Sequence, residues 1–188
     1  MGAVVLAYMD NLRIPRWWLR AGLVVLLAGF AAGAADPEDE LKAATVLTFV
    51  RHTVWLQGAP RGPITIGVMD RPSMIRTLQR SLDGKTANNR AIRIVDARAT
   101  AELTSCQVLY VATDDNNAVR QTLAVVRTSH PLTIGETGRF LEDGGAVNLL
   151  LVNGHMSFEV SVEALDRAGV SISSTLLRYG QVKVRPHS

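Results

Sequence analysis

Five consecutive apolar residues, Val108-Leu109-Tyr110-Val111-Ala112, stand near the middle of the chain. The run is too short for a buried helix and does not alternate with polar residues. It reads as a strand covered on both faces. Such a strand needs a layer on each side, and the flanking segments supply them. Glu38 to about Trp55 carries Leu47, Val50 and Val54 at helical spacing, widened by Val46 and Phe49, and Asp36-Pro37-Glu38 has the composition of a helix start. Ser73 to Leu82 places Met74, Ile75 and Leu78 inward. After Asp114-Asp115-Asn116, suited to capping, Val119, Leu123 and Val126 form a third stripe, stopped at Ser129-His130-Pro131.

Between these helices lie further short extended runs: Ile64–Val68, Ala91–Val95 and Leu132–Gly135. Asn153-Gly154 then separates Ala146–Val152 from His155–Val160. Asn-Gly between two strand-like runs signals a hairpin, because both residues tolerate positive φ. Ser161 is placed to cap a short helix that Gly169 ends, Val170-Ser171-Ile172 is extended, and Ser173 or Ser174 can cap a last helix through Leu176, Leu177 and Tyr179. The expected fold is a single α/β domain over residues 36–188. Its mostly parallel sheet is flanked by helices, with an antiparallel hairpin in the C-terminal half.

Residues 1–35 read as an address. Arg13, Arg16 and Arg20 precede an apolar run from Ala21 to Ala31, and Ala32-Gly33-Ala34 offers a small-residue cleavage site. A helix from Ala21 to Ala35 would span about 22 Å, short of the roughly 30 Å hydrocarbon core, so a cleaved signal peptide is favoured over a membrane anchor. Met9 stands at a more usual distance from the apolar run than Met1. The consequence is a chain that works outside the cytoplasm.

Charge and motif content narrow the function. The chain has 188 residues with 20 Lys and Arg against 17 Asp and Glu, a net charge of +3. Three of those Arg and one acid fall in residues 1–34, so the remainder is nearly neutral. Its charges are interspersed, with no basic stripe for nucleic acid. The single cysteine, Cys106, rules out an intrachain disulfide and a cysteine-built zinc site. A buried Cys of this kind is usually a small hydrophobe, with a reactive or intermolecular thiol as the alternative. His52, His130, His155 and His187 show no metal-ligand spacing, and Asp114-Asp115 fits caps better than a cation site. No nucleophile elbow, P-loop or dinucleotide fingerprint is present. A binding protein rather than an enzyme is expected, without cofactor or metal.

The order of motifs from Lys42 to Val184 resembles the YfiR-like family of small exported regulators. The resemblance rests on Lys42-Ala43-Ala44 through Leu47, Phe49, Arg51 and Trp55, and on Cys106-Gln107-Val108-Leu109-Tyr110-Val111. It continues through Leu132–Gly135, Gly144–Leu151, Phe158–Ser161 and Ala164–Leu177. The chain departs from the family pattern at Leu56, where proline is usual after the tryptophan. Other departures are His52, Ser161 and Tyr179-Gly180. Redox control through an intrachain disulfide, a property of some members, does not carry over to a chain with one cysteine.

The resemblance implies a periplasmic regulator that binds the extracytoplasmic domain of an inner-membrane signalling protein, a diguanylate cyclase, and represses it, thereby lowering cyclic-di-GMP. A homodimer is one assembly open to it. Leu176, Leu177 and Tyr179 on the last helix are the candidate partner-binding residues, docking on the sheet being the competing use of the two leucines. The alternative is a periplasmic small-ligand sensor reporting to a membrane receptor or kinase. That reading predicts a pocket at the carboxyl ends of the strands near Gly67, Thr113 and Gly135.

Overall fold

A computed structural model describes residues 36–56, 61–178 and 181–183, the last three by their backbone. The expected signal peptide and Tyr179 lie outside these residues. Helix α1 (Pro37–His52) starts as its sequence dictates: Asp36 accepts a hydrogen bond from the Glu38 amide at 3.0 Å, and Glu38, Asp39 and Glu40 sit at the positive end of the helix. It buries Ala43, Val46, Phe49 and Val50.

The helical stripe was expected to run to about Trp55, but the chain turns extended three residues earlier. Strand β1 (Thr53–Trp55) pairs antiparallel with a late strand, β9 (Val170–Ile172), in the register Thr53↔Ile172 and Trp55↔Val170. Two side chains end the helix. The Thr53 hydroxyl donates to the Phe49 carbonyl at 2.7 Å, and the Asn88 amide donates to the carbonyls of Val50 and Thr53. The β-branched Thr53-Val54 pair favours the extended form once those carbonyls are satisfied.

The remaining elements alternate. They are β2 (Ile64–Met69), α2 (Pro72–Leu82), β3 (Thr86–Ala87), β4 (Arg90–Asp96), α3 (Thr100–Ser105), β5 (Val108–Val111), α4 (Asn116–Val125) and β6 (Leu132–Gly135). The C-terminal half adds β7 (Val147–Val152), β8 (His155–Ser161), α5 (Val162–Arg167), β9, α6 (Ser174–Leu177) and β10 (Gln181–Lys183). The main sheet has the order β10-β8-β7-β6-β5-β2-β4-β3. From β4 across to β7 all neighbours are parallel, and β7 and β8 form the expected hairpin. The hairpin does not end the sheet, because β10 pairs parallel along β8.

The sheet carries two cores, as the unbroken apolar run predicts. Ile64, Ile66, Val68, Val108, Tyr110, Leu132 and Ile134 join α1 and α2 on one face. There the Phe49 and Phe158 rings meet edge-on at 4.9 Å between centroids, a contact worth about 1 kcal/mol beyond its buried area. Leu109 and Val111 point to the other face and pack with Leu103, Val119, Leu123 and Phe140. Among the described residues no helix is long and apolar enough to cross a membrane.

Candidate functional site

Helix α6 follows β9 directly. Its cap, Ser173, accepts from the Leu176 amide at 3.4 Å, and the Ser173 amide donates to the His52 carbonyl at 3.1 Å. The His52 Nδ1 lies 3.1 Å from the Ser173 hydroxyl. These bonds fix the start of α6 beside the start of β1. Leu176 and Leu177 are both half-buried and pack against the core of the first face, so part of each leucine is committed to holding the helix down. Strand β1 points Trp55 inward, with the Arg90 guanidinium 5.8 Å over its ring. Alternation then turns Val54 and Leu56 outward, 59% and 62% exposed. The Leu56 amide still donates to the Gly169 carbonyl at 2.8 Å, which keeps that side chain on a fixed backbone. Sequence reasoning placed Val54 on the helical stripe and noted Leu56 only as a departure from the family pattern; the available signal was the β-branched pair at Thr53-Val54.

At the carboxyl ends of β2, β5 and β6 the first turn of α1 meets the loops after β2 and β6 in a charged cluster. The Lys42 ammonium contacts Glu38 at 2.6 Å and also the Glu136 carboxylate, while Arg71 Nη1 lies 2.7 Å from Glu136 and 3.8 Å from Asp39. The Lys42 and Glu136 side chains are only 8% and 6% exposed. Burial opposes the Lys42 charge, but the hydrogen bonds it donates to Glu136 and Glu38 and the charge of Glu136 outweigh it and raise the pKa above its ordinary value. Burial, reinforced by the charge of Glu136, pushes the Tyr110 hydroxyl well above its ordinary range. The cluster ties the start of α1 to two loops and offers no nucleophile.

The small-ligand reading predicts a pocket near Gly67, Thr113 and Gly135, and at the two glycines the space beside the backbone is filled. A Cβ at Gly67 would stand 2.4 Å from the Cys106 sulfur, and one at Gly135 would stand 2.3 Å from the Phe140 ring. Both glycines admit a neighbouring side chain rather than a ligand. Cys106 itself is buried and free, its S–H donating to the Glu102 carbonyl at 2.9 Å, and burial pushes its pKa up to about 11. It is therefore a packing residue and not a reactive thiol. Among the described residues, no group of three or more His, Cys, Asp or Glu side chains is arranged to hold a metal ion.

A cleft of about 340 Å³ opens at the other end of β6, between the end of α4 and α5. Arg120, Arg127, His130, Asp143 and Arg167 line it. The motif search passed over these residues because they come from three separate stretches of chain.

The model of the YfiR/HmsC-like family matches residues 39–181, well over half of the chain. The chain belongs to the YfiR/HmsC-like family. Among solved structures, the crystal structure of a conserved domain protein from Vibrio cholerae O1 biovar El Tor is similar, with a TM-score of 0.53 at 12% identity, and the match covers 78% of this chain. The chain spans 60% of the length of that protein, and at this identity the likeness is one of fold. No curated protein matches the chain significantly.

Proposed function

We propose that this protein is a periplasmic repressor that binds the extracytoplasmic domain of an inner-membrane diguanylate cyclase and holds it inactive. The observation that carries this reading is the family match over residues 39–181. The structural support is the pair of exposed side chains Val54 and Leu56 on β1, whose partner strand β9 leads through Ser173 into the helix that carries the half-buried Leu176 and Leu177. Exposed aliphatic side chains on a hydrogen-bonded strand give a partner an apolar contact whose ordering cost is already met. Tyr179, two residues beyond Leu177 in the sequence, is kept as a candidate contact on the sequence reading alone.

Repression requires tighter binding to the inactive partner than to the active one. Moving a partner from mostly active to mostly inactive takes a differential affinity of about 10⁴-fold, or about 5.5 kcal/mol. The test is a pull-down from solubilised membranes with tagged protein, alongside measurement of cyclic-di-GMP in cells lacking the gene. Recovery of a membrane protein with a cyclase domain, lost in the Val54→Asp/Leu56→Asp variant, together with a rise of cyclic-di-GMP on deletion, is the expected result. Unchanged cyclic-di-GMP and no specific membrane partner would overturn the reading.

A further inference from the structure

We propose that the cleft between the end of α4 and α5 is a binding site for a small molecule carrying a phosphate or carboxylate head on an apolar body. The site does not depend on the repressor reading. Its volume, about 340 Å³, lies within the range of ligand pockets. Three guanidinium groups converge on it against one carboxylate, in a chain whose remaining charges nearly cancel.

The arginines are not consumed by internal pairing. Arg127 makes no ion pair with any described residue, and Arg120 meets the neutral amide of Asn117. Arg167 donates to the Gly144 carbonyl at 3.3 Å and keeps a 3.9 Å contact with the exposed Glu163. A surface ion pair that long contributes little. Planar guanidinium forks match the oxygen spacing of phosphate and carboxylate, and two or three of them around one concavity select for anions.

The rest of the lining shapes the ligand. Leu123, Val126 and Pro131 form an apolar floor, which gives the ligand body a place out of water. The buried Asp143 Oδ2 has no hydrogen-bond partner among the described residues. Leaving a buried acceptor unpaired costs about 1–3 kcal/mol, and a hydroxyl or amine on the ligand would satisfy it. His130 stands at the rim in a left-handed conformation, φ 54°, its amide donating to the Val126 carbonyl at 3.1 Å.

The test is calorimetric titration of the purified protein at low ionic strength with phenyl phosphate, benzoate, inorganic phosphate and benzylammonium. Saturable one-to-one binding of phenyl phosphate and benzoate is expected, weaker binding of inorganic phosphate, and none of benzylammonium. Arg120→Ala/Arg127→Ala, both at exposed positions, should weaken phenyl phosphate by about tenfold, equivalent to about 1.4 kcal/mol. Asp143→Asn should tighten it by removing the one opposing charge. No saturable binding of either aromatic anion overturns the proposal. So does an unchanged Kd in a double variant that keeps the wild-type circular dichroism. Inorganic phosphate binding as tightly as phenyl phosphate refutes the apolar body, and benzylammonium binding as tightly refutes the anionic head.

Discussion

Lys42 meets two carboxylates, Glu38 and Glu136, and Glu136 is itself shared with Arg71 at 2.7 Å. Without Lys42 the buried Glu136 keeps only Arg71 to balance its charge. Lys42→Met should therefore destabilise the fold by about 3 kcal/mol, read as a lower urea midpoint with an unchanged slope. Cys106 gives a pH dependence whose sign is fixed. Its folded pKa is raised from 9.0 to about 11, so the unfolded chain loses the thiol proton first. The associated stability is complete below pH 9 and is lost as pH rises towards about 11. Cys106→Ala should flatten the stability profile in that window, and the native thiol should resist a disulfide reagent until the protein is unfolded. The buried character of Cys106 was legible from its place before an apolar strand. The Lys42 cluster was not, because its members are scattered from Glu38 to Glu136 and no local spacing connects them.

At the scale of elements, caps and turns were the most legible features, since they are decided within a few residues. Ser161 accepts from the Ala164 amide at 3.2 Å, as its place before Glu163 predicts. Asn153 and Gly154 adopt φ of 51° and 77°, the left-handed pair that a tight hairpin needs. Pairing between distant segments was not legible. Nothing near Thr53 announces that Ile172 lies opposite, so β1 was concealed inside a helical stripe. Helix α6 has four residues and cannot persist unaided. Its stability comes from the buried parts of Leu176 and Leu177, so Leu176→Ala should cost about 2 kcal/mol. Val54→Asp/Leu56→Asp, altering side chains that face water, should stay within about 0.5 kcal/mol of wild type per site. Thermal melts of these variants separate loss of fold from loss of partner binding in the pull-down.

For the molecule as a whole, β2, β5 and β6 lie in the middle of the sheet with core on both faces, while β3 and β10 are its edges. Hydrogen exchange should be slowest in the three central strands and fastest in the two edge strands and β1, because opening the centre requires global unfolding. Uniform protection across the sheet would contradict this order. The sequence by itself determined the layered α/β class, the places of most helices and strands, and the family, because hydrophobic period and turn chemistry act over short stretches of chain. Only the tertiary structure decided which residues meet. It brought Lys42 to Glu136, filled the space beside Gly67 and Gly135 with Cys106 and Phe140, turned Val54 and Leu56 to the outside, and gathered three arginines around one cleft. Each of these depends on strand order and on the packing of side chains far apart in the chain, which local preferences do not encode.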